Sequence, residues 1–501
     1  MSSAMSERQN VQLTGPYDSL RDYIVALEAR GRLLRIKEMD QDQYEATGFA
    51  YRLIEKCGHY EAPAFLIERI KINGRWMDGP IISNLYGGWD TEAMAFGVET
   101  ITEDQHDMYR ATLKKVKSLA DDQGQWKKIK PELIERHSAP CKDVIITGDD
   151  VDLFQFPWLK SNPKDAGQYI NTASVILEDP ELGRNVAINR CQVKSKNKLG
   201  LNIKGQDGFT ILMTKLKRGE RTAKVAVVQG VDPIVYTMSC SKLAGPGDDE
   251  LEIAGGLRGK PVEVVKCETS DILVPAHAEL VIEGEIPIDQ KEEEGPFAEV
   301  YGYLGQLIPQ NFIINVKAIT HRHNPWFINA FSGATKLRPK APTEADNYFK
   351  YKKIIPNFVD CYSPDEAMGI TILSIDKRFP GEGLAAGQIG ATSDFFSKVI
   401  IVVDKDVDVS RLTQVLHAVG SRWQPHPATM FIKKARGITL DPSTPVRRLT
   451  SKIIIDATKQ LPEEGGPDSW PAVSRQLLEE HCPDVFNLVD DKWSDYWKDF
   501  D

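Results

Sequence analysis

The stretch Ala278-Glu279-Leu280-Val281-Ile282-Glu283-Gly284-Glu285-Ile286 alternates residue by residue. Leu280, Ile282 and Ile286 fall on one face, and Glu279, Val281, Glu283 and Glu285 on the other, as in an extended strand. Residues 312–319 alternate again. Shorter strand-like runs precede them at 144–146, 169–177 and 185–193, the last two joined by the turn Asp179-Pro180-Glu181-Leu182-Gly183. Many strands punctuated by Gly and Pro over 140–320 predict a barrel-like sheet domain.

On the N-terminal side the pattern is α/β. Ser19 and Asp22 fit a capping box, Leu20, Tyr23, Ile24 and Leu27 share one helical face, and Gly31 ends the helix. A second helix over 42–57 stops at Gly58, strands at 64–67 and 80–83 are joined through Asn73-Gly74, and 103–135 reads as charged helix. On the C-terminal side, 323–350 is a linker with Pro325, Pro339 and Pro342, leading into a helix. Thr371-Ile372-Leu373 and Val399-Ile400-Ile401-Val402-Val403 are buried-strand runs, and 410–423 is an amphipathic helix. Residues 470–500 carry Trp470, Trp493 and Trp497 in a helical context, able to dock on a partner subunit or on their own chain. The expected division is an N-terminal α/β region at 1–135, the sheet domain at 136–325, a linker and helix at 326–350 and a C-terminal α/β domain at 351–501.

Length and composition bound the function. A chain of 501 residues exceeds one ordinary core, so about two to four domains are expected. With 41% hydrophobic and 27% charged residues it is globular rather than disordered. The net charge of −10 argues against nucleic acid and anionic membranes as partners. No apolar run reaches the roughly 20 residues a membrane helix needs, and 1–16 has no apolar signal core, so a cytoplasmic location is expected. Seven scattered cysteines without a C-x-x-C pair read as reduced thiols.

Three motif-like stretches fail on inspection. The glycines of 383–390 have the wrong spacing for a dinucleotide loop. Asp404, Asp406 and Asp408 mimic the start of a calcium loop, but the required glycine is missing and Val415 stands where its glutamate belongs. His321 and His323 fit a solvated turn better than a metal site.

The residues that carry chemistry lie elsewhere. Arg190 sits in the apolar run Asn185-Val186-Ala187-Ile188-Asn189-Arg190, where it must find an anion: a structural ion pair or a substrate carboxylate gripped by the guanidinium fork. Glu294 and Glu299 flank a stiff Gly295-Pro296 turn. Glu299 lies among Phe297, Ala298, Val300, Tyr301 and Tyr303, so it is either a strand-end carboxylate bonded to backbone or a proton carrier with a raised pKa. Glu250 follows a Gly/Pro/Asp loop and reads as a helix-start acid or a cation ligand.

At these residues the chain resembles the UbiD family of reversible decarboxylases. The resemblance is carried by N-V-A-I-N-R (185–190), I-A-G-G-L-R-G-K-P-V-E-V-V-K-C-E-T (253–269), V-P-A-H-A-E-L-V-I-E-G (274–284), E-G-P-F-A-E-V-Y-G-Y (294–303) and V-I-I-V-V-D-K-D-V-D-V (399–409), in the family's order over most of the chain. It implies an α/β fold with an N-terminal α/β region, a split β-barrel binding prenylated FMN and a C-terminal α/β oligomerisation domain. The implied reaction is non-oxidative, reversible decarboxylation of an aromatic or α,β-unsaturated acid through a covalent adduct with the prenylated flavin, releasing CO2.

The resemblance also implies residue roles. The family's catalytic Arg-Glu-Glu set falls on Arg190, Glu294 and Glu299. Asn185 and Glu250 match metal ligands that hold Mn2+ (or Mg2+) against the cofactor phosphate. Asn185, Ile188, Arg190, Gln206 and Glu250 are the implied cofactor contacts. The third metal ligand, often histidine in relatives, falls at 203–208, where Asp207 is the plausible donor after a one-residue shift. A potassium ion would sit at 239–242. The implied partners are a small aromatic acid, a flavin prenyltransferase as cofactor supplier and further copies in a homodimer or larger homo-oligomer. The pocket-bordering segment 326–333 departs from the relatives' pattern, and a bulky heteroaromatic acid such as phenazine-1-carboxylate is one candidate substrate. Two rivals are a non-catalytic or partner-requiring subunit of a multi-subunit carboxylase and a flavin-free hydrolase using Glu294 and Glu299 as a carboxylate pair.

Overall fold

The computed structural model describes residues 12–99, 102, 104–203, 207–245, 247–336, 338–444 and 448–498. The first helix, Leu20–Ala29, starts with the anticipated capping box: Ser19 N–H donates to Asp22 Oδ2 at 3.0 Å, and Asp22 N–H to Ser19 Oγ at 3.3 Å. Its buried face of Leu20, Tyr23, Ile24 and Leu27 is the predicted one. Strands Ala64–Ile72 and Arg75–Ser83 form a hairpin through Asn73 and Gly74, at φ 52° and 74°, the left-handed pair that matches strand twist. They pair in the order Leu33–Asp40, Ala64–Ile72, Arg75–Ser83, Phe327–Ile328. The stretch anticipated as linker therefore returns a strand to the first sheet before the helix Ala341–Ile354 begins.

The helix anticipated over 103–135 is shorter, spanning Gln105–Lys117. Beyond it Asp121 accepts the backbone N–H groups of Gln123 and Gln125, each at 2.8 Å. Such local side-chain bonds offer the backbone an alternative to the helix.

Among the described residues ten strands make the central sheet. Along its main path they run Tyr169–Ile170, Cys191–Ser195, Lys198–Leu201, Ile308–His321, Leu280–Pro287, Thr222–Gln229, Ser174–Asp179, Gly183–Ile188, with Val144–Thr147 and Glu292–Glu294 also pairing with Ile308–His321. Gly183–Ile188 ends this path, and Cys191–Ser195 lies next to its other end, yet only Asn189 and Arg190 separate them in sequence. A two-residue link cannot span an open sheet, so the sheet is curled until its ends meet there. This corrects the reading of 185–193 as one strand: Arg190 sits at a corner where the chain changes sides, rather than within a strand. The 169–177 run is likewise broken, between Ile170 and Ser174. Leu280, Ile282 and Ile286 pack inside with Val175, Leu177, Val225, Val227 and Ile314. On the opposite face Glu283 is fully buried, accepting the N–H groups of Glu268 and Thr269 at 2.8 and 2.7 Å and paired with Lys142 at 3.1 Å.

The C-terminal sheet runs Phe358–Tyr362, Ile370–Ile375, Val399–Asp404, Leu449–Asp456, Thr429–Arg436. Helix Glu382–Ser393 crosses between the parallel strands Ile370–Ile375 and Val399–Asp404. Its glycines serve packing: a Cβ on Gly387 would lie 2.2 Å from Ile454 Cγ2, and one on Gly390 2.7 Å from Leu373 Cδ1. Asp404 and Asp406 pair with Arg422 at 2.9 and 2.8 Å, and Asp408 pairs with Arg110. Helices Ser474–His481, Val485–Asp491 and Trp493–Tyr496 contain no buried residue. All seven cysteines are free. Among the described residues no helix is long and apolar enough to cross a membrane.

Candidate active site

Three of the anticipated residues meet at the corner. Arg190 Nε and Nη2 donate to Glu294 Oε1 and Oε2 at 3.0 and 2.9 Å, a two-pronged pair, and Nη1 donates to Glu299 Oε1. The side chains of Arg190 and Glu294 are 8% and 0% exposed, so the pair is dry and its geometry is fixed; Glu299, at 17%, is the open side. The guanidinium carbon stands 5.1 Å from the centre of the Phe297 ring. Burial pulls the Arg190 pKa down, but Glu294 and Glu299 pull harder, and the net shift is upward, so it stays charged.

Glu294 ends the strand Glu292–Glu294, and Gly295 follows at φ 87°. A residue with a Cβ is strained in that left-handed region. The turn sends the chain back towards Arg190 and places Glu299 in a short hairpin: Gly305 N–H donates to Phe297 O and Glu299 N–H to Tyr303 O, both at 2.8 Å. Burial raises the Glu299 pKa; Arg190 draws it down, and the charges of Glu294 and Asp165 add to the rise.

The other anticipated residues cluster nearby. Asn185 lies on the strand Gly183–Ile188, 6% exposed, with its Nδ2 buried and without a hydrogen-bond partner. Ile188 ends that strand. Glu250 opens the helix Glu250–Arg258, in keeping with the helix-start reading, and accepts Val186 N–H at 3.1 Å. Burial pushes the Glu250 carboxyl up to about 8 against the pull of backbone N–H groups, with Asp249 and Asp207 adding like charge. Asp207 opens the helix Asp207–Lys217 and is exposed. Gly208 brings that helix close: a Cβ there would lie 3.2 Å from Asn185 Nδ2. Gln206, with Lys204 and Gly205, lies outside the described residues.

Among the described residues no group of three His, Cys, Asp or Glu side chains forms a metal set. Two carboxylates and an orphaned amide are nonetheless oxygen donors suited to Mn2+ or Mg2+, since turning the amide over presents its oxygen. A cation there would relieve both the buried charge of Glu250 and the orphaned amide, so these residues fit the group. At 239–242, Ser239 Oγ bonds Ser174 Oγ at 2.6 Å and Val235 O at 3.1 Å, while Ser241 Oγ is buried without a partner.

Sequence reasoning missed two supporting residues. Asp165 accepts Ala298 N–H at 2.8 Å and Asn162 N–H at 2.9 Å, bracing the turn from outside. Tyr169 packs its ring 4.3 Å from that of Phe297, and burial with the nearby Glu294 raises its pKa, so it remains a neutral phenol. A polar residue in the loop before a strand carries no sequence signal of a partner more than a hundred positions away.

Comparison with known proteins follows this geometry. Family models described as the N-terminal, Rift-related and C-terminal domains of 3-octaprenyl-4-hydroxybenzoate carboxy-lyase match residues 24–108, 132–335 and 339–457. A phenolic acid decarboxylase of Sedimentibacter hydroxybenzoicus is 30% identical over 470 residues, covering 90% of this chain and 93% of the relative. The vanillic acid decarboxylase structure from that organism in closed form superposes with a TM-score of 0.79 at 28% identity, over 94% of this chain and 100% of the other; its open form gives 0.77. An evolved dimeric form of the UbiD-class enzyme HmfF from Pelotomaculum thermopropionicum, in complex with prFMN, gives 0.75 at 28% identity over 91% and 97%.

Proposed function

Because the chain belongs to the UbiD family of carboxy-lyases, we propose that it decarboxylates an aromatic acid at the Arg190–Glu294–Glu299 corner with prenylated FMN bound beside it. The observation that carries this is the dry, two-pronged Arg190–Glu294 pair, which leaves Nη1 facing the exposed side, where it holds Glu299. Prenylated FMN, when bound, supplies an electron sink for the carbon that loses CO2. Asn185 and Glu250, with Asp207, would hold Mn2+ at its phosphate, Ile188 and Gln206 would line it, and 239–242 would hold K+.

The chain's own residues then act in order. Glu294 fixes the guanidinium plane. The incoming carboxylate takes Nη1 in place of Glu299, which orients the scissile bond. Freed from Arg190, Glu299 loses the interaction that lowered its pKa and takes up a proton. It returns that proton to the carbon from which CO2 has departed. The reverse sequence removes a proton before carboxylation. The hydrolase rival leaves Arg190, Asn185 and Glu250 without a role.

The substrate is proposed to be a phenolic or larger heteroaromatic acid, phenazine-1-carboxylate being one candidate. Its pocket would be bordered by 326–333, where Phe327, Ala330 and Phe331 are buried. The enzyme is proposed to act as a homodimer or larger homo-oligomer, loaded by a flavin prenyltransferase. CO2 release by purified holoenzyme across a panel from hydroxybenzoates to phenazine-1-carboxylate tests the reading. Release from at least one acid, lost in Glu299→Gln with cofactor retained, is the expected result. Normal release by Glu299→Gln would remove the assigned proton carrier.

A further inference from the structure

The hairpin that carries Glu299 buries Phe297 and Ala298 in its first arm but exposes its return arm: Tyr303, Leu304 and Leu307 are 61%, 46% and 47% exposed. Its base is held, since Ala166 N–H donates to Pro296 O at 2.8 Å and Ala298 N–H to Asp165. Its tip is a tight turn in which Gly302 N–H donates to Glu299 O at 2.9 Å. Tyr301 projects from that tip onto the C-terminal unit. Its hydroxyl donates to Phe396 O at 3.5 Å, and a Cβ on Gly369 would lie 3.6 Å from the hydroxyl and 3.9 Å from the ring. Gly369 itself has φ +90°, so the seat is kept open by a residue whose backbone disfavours a side chain. On the other side of the tip, a Cβ on Gly333 would lie 2.7 Å from Gly302 Cα.

We propose that Tyr301 is a positioning residue whose side chain, its ring beside Gly369 and its hydroxyl on Phe396 O, ties the Glu299 hairpin to the C-terminal unit and so holds Glu299 in reach of Arg190. Tyr301 acts through Glu299 and does not touch the reacting atoms. The consequence for rate rests on Glu299 being the proton carrier. A carboxylate one turn from an undocked tip would sample positions away from the reacting carbon, and displacement of about 1 Å can cost up to about 100-fold in rate. Both ends of the tie are needed: the main chain at Phe396 belongs to the C-terminal unit, so any rearrangement of that unit pulls on the Glu299 turn.

The test compares holoenzyme of wild type, Tyr301→Ala, Tyr301→Phe and Glu299→Gln. Amide hydrogen exchange at Glu299 and Gly302 needs no substrate, and kcat and KM are measured with the acid the panel identifies. Tyr301→Ala is expected to speed exchange of both amides by roughly tenfold and to lower kcat about 10-fold or more with KM changed less than about threefold. Tyr301→Phe keeps the ring at Gly369 and loses the bond to Phe396 O, so both readings should fall between those of wild type and Tyr301→Ala. Should Tyr301→Ala fail to fold, Tyr301→Leu carries the same expectation. Unchanged exchange in Tyr301→Ala would overturn the tie. Wild-type turnover by Glu299→Gln, with exchange still faster in Tyr301→Ala, would overturn the effect on rate and the proton-carrier reading while the contact stood.

Discussion

The geometry of Arg190 separates two contacts: Nε and Nη2 are committed to Glu294, and Nη1 holds Glu299, the contact that a substrate carboxylate would displace in the proposed reaction. Arg190→Lys keeps the charge and loses the fork, so kcat/KM should fall by about 100-fold or more with the fold intact; steady-state kinetics beside a thermal melt checks this. The pH profile follows from Glu299. Burial raises its pKa, and losing Arg190 to the substrate would raise it further, so in the substrate complex the carboxyl should hold its proton above the ordinary carboxylate range of about 4.3. Decarboxylation needs the protonated form, so kcat should fall as pH rises through the raised value, and the rate profile should show that alkaline limb. Arg190 and Glu299 stood out in the sequence because charged groups in apolar runs demand partners, whereas Glu294, ending an acidic run, joined them through its place before Gly295-Pro296 and the family resemblance. The corner at Asn189 and Arg190 was not, because the apolar pattern continues across the break from one strand to the next.

Helix Glu250–Arg258 shows the same balance between what patterns reveal and what contacts decide. Its acid-rich start was visible in the sequence; its resting place was not. Gly255 and Gly256 let it lie on the backbone of 127–129, where a Cβ on Gly256 would stand 1.7 Å from Lys127 O and one on Gly255 2.5 Å from Ile129 O. Gly256→Ala should therefore destabilise the protein by about 2 kcal/mol or more and tilt the helix that presents Glu250, which, if Glu250 holds Mn2+ as proposed, weakens retention of the metal. A melt and metal analysis of the purified variant check both, with Asp207→Asn, at the exposed edge, expected to leave the melt unchanged. Alternation and capping signals placed the first helix and strands such as Ala64–Ile72, Leu280–Pro287, Ile308–His321 and Val399–Asp404, but passed over Leu33–Asp40, Thr222–Gln229 and Leu449–Asp456. They overextended the 103–135 helix because Asp121 captures backbone N–H groups, a competition that hydrophobic periodicity does not register.

At the scale of the molecule, a curled sheet brings both ends of its strand path to Arg190. Strand order was beyond sequence reasoning, since it depends on non-local pairing such as Phe327–Ile328 returning to the first sheet. The C-terminal helices bury nothing of their own while exposing Leu488, Trp493, Tyr496 and Trp497. If they cover a second copy, removing 474–501 should lower the mass seen by sedimentation while leaving the melt of the remaining chain nearly unchanged. In the proposed function this fold cradles a prenylated flavin beside Arg190, Glu294 and Glu299. The most direct test is the visible spectrum and intact mass of the cofactor released from protein produced together with a flavin prenyltransferase. A flavin mononucleotide carrying the additional prenyl-derived ring is the predicted result; protein that binds no flavin under those conditions would contradict the account.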